Sequence, residues 1–184
     1  MHIVDLHADD DAAILQVASL LVEDFSTDFP RAWPDLESAL AEVHESFAPG
    51  HISRVALAED GTVLGWIGGI SQYDGHVWEL HPLVVRVSHR EQGIGRALVA
   101  DLEGRVKERG GLTITLGTDD MFDQTTLSGI NLFSHVWEHI AHIRNLKHHP
   151  YEFYQKLGYV IVGVVPDANG PGKPDILMAK SVVR

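Results

Sequence analysis

The chain contains no cysteine, which removes disulfides, thiolate metal sites and any acyl-cysteine intermediate. No apolar run reaches membrane-spanning length, and the start, Met1-His2-Ile3-Val4-Asp5, has neither the basic segment nor the apolar stretch of a signal peptide. A cytoplasmic protein is therefore expected. Basic residues are scarce: 14 Lys and Arg stand against 26 Asp and Glu, a formal net charge of -12. A phosphate backbone would be repelled, so no nucleic-acid partner is expected, and without a spanning run no membrane partner is expected either. The charge suits a cationic ligand, or serves solubility alone. Internal repeats, low-complexity tracts and linkers are also missing. With 184 residues, 45% hydrophobic and 22% charged, one globular domain over 1–184 is expected, large enough for a sizeable core.

What is present has a clear order. His2 to Leu6 reads as a strand, and Asp9 to Glu23 as a helix capped by an Asp cluster. A second helix is expected from Pro34, with Leu36, Leu40, Val43 and Phe47 as its apolar stripe. Ile52–Ala58 and Thr62–Ile70 read as strands joined by the turn Glu59-Asp60-Gly61. Tyr73-Asp74-Gly75 turns the chain again into a long strand, Val77 to Val87, with a bulge expected at Pro82. A helix to about Arg109, a strand at Leu112–Leu116, helices at Ser134–Leu146 and Pro150–Leu157, and an antiparallel pair, Tyr159–Val165 with Ile176–Lys180, complete a β-α-α-β-β-β-α-β-α-α-β-β order. That is a mixed α+β domain.

The most informative stretch is Arg90-Glu91-Gln92-Gly93-Ile94-Gly95, between the β-branched run Leu83-Val84-Val85-Arg86-Val87 and a helix with Ile94, Ala97, Leu98, Leu102 and Val106 at helical spacing. Glycines at a strand-to-helix junction leave backbone N–H groups unshielded at the positive end of the helix dipole, a site for phosphate or pyrophosphate. The chain lacks the Gly-Lys-Ser/Thr of a P-loop and the third glycine and later acid of a dinucleotide fold.

Two motifs in this order, Arg90-x-x-Gly93-x-Gly95 after the long strand and Tyr151-Glu152-Phe153-Tyr154-Gln155-Lys156-Leu157-Gly158-Tyr159 later, resemble the GNAT family of N-acetyltransferases over roughly Val77 to Val165. The resemblance implies a mixed, mostly antiparallel sheet with a central splayed strand pair, flanked by helices. It implies acetyl-CoA as co-substrate and no metal. Backbone N–H groups of Gln92, Gly93, Ile94, Gly95 and Arg96 would hold the pyrophosphate, with Arg90 adding a positive charge. Backbone groups of Leu83 to Val87, with Leu83, Val84 and Val85 as the cofactor-binding residues, would pair with the pantetheine arm like an extra strand, and an N–H near Val85 would polarise the thioester carbonyl.

Gly117-Thr118-Asp119-Asp120, Thr125-Thr126-Leu127-Ser128, Asn145-Leu146-Lys147-His148-His149-Pro150 and Pro166-Asp167-Ala168-Asn169-Gly170 narrow the resemblance to aminoglycoside 6′-N-acetyltransferases. It then implies a cationic aminoglycoside acceptor, with Asp119, Asp120 and Asp123 as an anionic wall for its ammonium groups. A loop of solvated acids or a helix cap is the alternative. Other small primary amines as acceptor, or an acyl-CoA-binding module without turnover, stay open. The resemblance is also compatible with a homodimer.

An ammonium must lose a proton before attacking a thioester. Strand alternation puts Glu79 and His81 on one face and Trp78 and Leu80 on the other. Glu79 is the first candidate for general base, through a water, followed by His81; a carboxylate there could instead bind the substrate ammonium. Tyr154 is the candidate acid for the departing thiolate, or an aromatic packing its helix. Trp78, with Trp33 and Tyr73, is a candidate for the acceptor site, though two of the three are expected in the core.

His135, His139 and His142 fall on one helix face, but lack the Glu of His-Glu-x-x-His, and Trp137, Ile140 and Ile143 are expected to form the buried stripe. A solvated polar face is the expectation there. The stretch Phe133 to His149 is longer than many family members carry at this point, and reads as a substrate flap or a dimer contact.

Overall fold

Helix-forming and strand-forming patterns settle into twelve elements, described here from a computed structural model that covers residues 1–25 and 32–184. They gather into two compact units, Met1–Leu112 with Val182–Arg184, and Thr113–Ser181.

In the first unit, strands β1 (His2–Asp5), β2 (His51–Leu57), β3 (Val63–Gln72) and β4 (Val77–Val85) pair successively and antiparallel. Helix α1 (Asp11–Phe25) begins where the Asp10 carboxylate accepts the Ala13 N–H at 3.0 Å. Helix α2 (Leu36–Glu45) starts two residues later than Pro34 suggests. Its cap is Asp35, whose side chain and that of Ser38 satisfy each other's backbone N–H in a capping box. The first two helices bury Ile14, Val17, Ala18, Leu21, Ala39 and Val43 in a cluster with Val55, Val63, Trp66 and Val84 of the sheet. Each fully buried Val, Leu or Ile among them contributes about 1.5–3 kcal/mol of hydrophobic stabilisation.

Helix α3 (Ile94–Glu108) buries Leu98, Leu102 and Val106 and is tied to the sheet by Arg54, only 2% exposed. The Arg54 guanidinium donates to both Asp101 oxygens, at 2.7 and 3.1 Å, and to Asp5 at 2.6 Å. Burial works against the charge of Arg54, but the two carboxylates raise its pKa above the ordinary value.

Leu83 to Val87 is shorter as a strand than expected. Pairing stops at Val85, and Val87–His89 forms a 3-10 turn that exposes Val87. The bulge expected at Pro82 is present: Ile67 faces Leu83 and Gly69 faces Leu80, so Gly68 alone opposes His81 and Pro82. A Cβ on Gly68 would lie 2.2 Å from the His81 carbonyl oxygen, so only glycine fits opposite the bulge.

In the second unit, β7 (Asp175–Ser181) lies between β5 (Thr113–Asp119) and β6 (Val160–Val165), antiparallel to both. Helix α5 (Tyr151–Lys156) matches its expected place, whereas α4 (Val136–Ala141) is much shorter than the expected Ser134–Leu146. His135 sits in a left-handed conformation at its start and His142 ends it. The stripe of Trp137, Ile140 and Ile143 is not buried; Trp137 is 68% exposed.

The expected element order, and an α+β fold with mostly antiparallel strands, are thus observed.

Candidate active site

The β4–α3 junction has the features an anion site needs. Gly93 stands before the helix at φ 85°, a conformation costly for any residue with a Cβ, and contributes no capping side chain. The first helical N–H groups, those of Ile94, Gly95 and Arg96, have no acceptor within the helix. The first turn carries no acid, and Glu91, Gln92, Gly93 and Arg96 are exposed. Ile94 is buried, so any contact it makes to a ligand here is through its backbone. These features fit a pyrophosphate such as that of a coenzyme A thioester.

Arg90 does not stand free beside the loop. Its guanidinium pairs with Asp24 of α1 and donates to the Val85 carbonyl at 3.4 Å, so it fastens the loop to the core helix. Gln92 folds back to the Ser88 carbonyl at 3.5 Å. On the preceding strand Val84 is buried, while Leu83 and Val85 are half-buried.

Along β4 the predicted alternation holds: Trp78 and Leu80 are buried, Glu79 is half-buried and His81 exposed. The Gln72 amide donates to Glu79 Oε2 at 2.6 Å, fixing one carboxylate oxygen. His81 Nε2 lies 3.7 Å from Oε1 of Glu42 on α2. Both line a cavity of about 170 Å³ together with Glu45, His51 and the Gly68–Gly69 backbone. Trp78, a candidate for the acceptor site, is instead a core residue: it is 4% exposed, donates its Nε1–H to the Gly75 carbonyl at 3.0 Å, and carries Arg109 over its ring. Trp33 is buried as well, leaving Tyr73 as the exposed member of the three.

The acids of the second unit are held by their own loops. Asp120, with no exposed surface, accepts the Gln124 N–H at 2.6 Å, the Thr125 N–H at 2.9 Å and the Thr125 hydroxyl at 2.7 Å. Burial opposes its charge, but these bonds and the Ser128 hydroxyl hold its carboxyl below the usual range. Its carboxylate therefore faces its own loop rather than forming part of an open wall. Asp119 accepts a bond from the Asn169 amide, and Asp123 pairs with Lys173 at 2.7 Å. Together these bonds stitch 119–125 to 167–173.

His149, 2% exposed, accepts the Tyr151 N–H at Nδ1, which leaves Nε2–H to donate to the Asp119 carbonyl at 3.2 Å. Burial pushes its pKa below the ordinary value. Tyr154 is 9% exposed and packs edge-on against Phe153 and Tyr159; burial raises its pKa, so the phenol keeps its proton.

Two residues that matter locally were given no individual role by the sequence: Glu42, and His149, which stands within the Asn145–Pro150 motif. Glu42 sits on the polar face of an amphipathic helix, and His149 shows its role only through bonds to Tyr151 and Asp119.

Comparison with known proteins adds a separate line. The acetyltransferase (GNAT) family model matches residues 16–125. No curated protein matches the chain. Among solved structures, an aminoglycoside 6′-N-acetyltransferase complexed with coenzyme A is 43% identical with a TM-score of 0.92, covering 100% of this chain and 98% of its own. An aminoglycoside 6′-N-acetyltransferase from Enterococcus faecium is 43% identical at TM-score 0.90, with the same coverage of 100% and 98%. An aminoglycoside 6′-acetyltransferase of type Ii is 39% identical at TM-score 0.76, covering 100% of this chain and 99% of its own.

Proposed function

Because the chain belongs to the GNAT acetyltransferase family, we propose that it moves acetyl from acetyl-CoA to the 6′-amine of an aminoglycoside. The observation that carries this reading is full-length similarity, at 43% identity, to an enzyme of that activity. The net charge of -12 agrees with an acceptor bearing several ammonium groups. Acetylating such an amine removes its charge, a chemistry suited to antibiotic inactivation.

Acetyl-CoA supplies the activated acyl group. The N–H groups at the start of α3 hold its pyrophosphate, with the exposed Arg96 as the nearby cation in place of the occupied Arg90. Backbone groups of Leu83 to Val85 take the pantetheine amides. On β4, Glu79 takes the proton of the incoming ammonium, through a water. Gln72 already occupies Oε2, so proton uptake falls to Oε1. His81 is the second proton acceptor on the same face. Tyr154, protonated at working pH, is the donor to the leaving thiolate. Asp119 and Asp123 contribute negative potential toward the acceptor while keeping the acceptor loop in shape.

Thiol release from acetyl-CoA, measured with kanamycin-like sugars that carry or lack a 6′-amine, tests the proposal. Release is expected only with the 6′-amine present. Release with simple amines alone would replace the acceptor, and coenzyme A binding without release would replace the enzyme by a binding module. Glu79→Gln is expected to lower kcat about a hundredfold; an unchanged kcat would remove Glu79 as base.

A further inference from the structure

The geometry points to Glu42 as a positioning residue that fixes the tautomer and orientation of His81. This rests on the proposal that His81 shares in proton transfer at the β4 face.

Glu42 is held from one side by the core. Its Oε2 accepts the Nε1–H of Trp33 at 3.3 Å, and Trp33 is buried edge-on against Phe25, with ring centroids 4.7 Å apart. The helix that carries Glu42 is fixed at its start by the Asp35–Ser38 capping box. One carboxylate oxygen is thus bound to a rigid donor, and the other, Oε1, is directed to His81 Nε2 at 3.7 Å.

That distance is longer than a hydrogen bond and short enough for the carboxylate charge to act on the ring. A negative charge beside Nε2 favours the proton on that nitrogen, so the lone pair resides on Nδ1. His81 then has one defined basic atom for an incoming ammonium. The ring's place is further defined by Trp33, whose centroid is 6.2 Å away. Gly68 sets the backbone from the opposite strand, since a Cβ there would strike the His81 carbonyl oxygen.

Glu45, one turn-neighbour away on α2, lines the same cavity and serves as the control. Both Glu42→Gln and Glu45→Gln remove one charge from the same helix, but only the first faces His81 Nε2. A Gln at 42 retains an oxygen for Trp33, so folding is preserved.

The test is nitrogen NMR of histidine-labelled protein, with kcat and KM for both substrates on the same samples. Wild type and Glu45→Gln are expected to show His81 protonated on Nε2. Glu42→Gln should show a mixture of tautomers, with kcat lowered about tenfold and KM values within about twofold. An unchanged tautomer in Glu42→Gln, or an equal change in Glu45→Gln, would overturn the role of Glu42. His81→Gln with full kcat would instead overturn the participation of His81, a failure the NMR result keeps separate.

Discussion

The two loops that the sequence offered as binding sites differ in where their polar groups point. At the β4–α3 junction, Gly93 leaves the first amides of the helix uncapped and the flanking residues exposed. In the second unit, the loop after β5 turns its polar groups inward: Asp120 is buried on three donors, and Asp119 and Asp123 bond to the 167–173 segment. An uncapped helix start follows from backbone conformation, whereas a count of carboxylates does not say which of them bond to their own loop, because a carboxylate serves a loop as readily as a ligand.

The contrast can be broken by substitution. Asp120→Ala should have the largest effect, about 3 kcal/mol of stability, because it leaves the amides of Gln124 and Thr125 without an acceptor in a buried place. Asp123→Asn, at an exposed pair, should stay within about 1 kcal/mol. Equal effects in urea unfolding would show that the acidic loop does not depend on Asp120.

Gly93→Ala comes next. At φ 85° an alanine costs about 1–2 kcal/mol, and the displaced amides should raise KM for acetyl-CoA with less change in kcat. An unaltered KM would detach the glycine loop from donor binding.

The smallest effect is in pH dependence. Burial holds the pKa of His149 below its ordinary 6.5, so as pH falls through that value the unfolded chain takes up a proton before the folded one. The stabilisation is complete above the unfolded value and is lost as pH drops toward the folded one. Thermal melts should show this decline, and His149→Gln should flatten it. A decline of equal slope in the variant would assign the effect to another group.

The parts that could be read in advance were those governed by local rules. The Glu59-Asp60-Gly61 turn, the bulge at Pro82, the start of α3 at Ile94 and the alternation of Trp78 through His81 follow from turn chemistry, proline and strand period. What escaped was decided by partners distant in sequence. Arg90 is paired with a carboxylate 66 positions away, and Trp78 is enclosed under Arg109. The over-long helix at Ser134–Leu146 had the right apolar spacing, but Trp137 is 68% exposed and His135 and His142 bound a short helix. Apolar spacing alone does not carry a helix to its expected length where no face is buried. Glu42 lay unseen because its significance depends on Trp33 and His81 meeting it from two other segments.

The position of the new amide in the product tests the central proposal most directly. Carbon and proton NMR of an aminoglycoside with several amines, recovered after turnover with acetyl-CoA, should place a single acetyl group on the 6′ nitrogen. Acetyl on a different amine, or recovery of unmodified sugar beside intact acetyl-CoA, would contradict it.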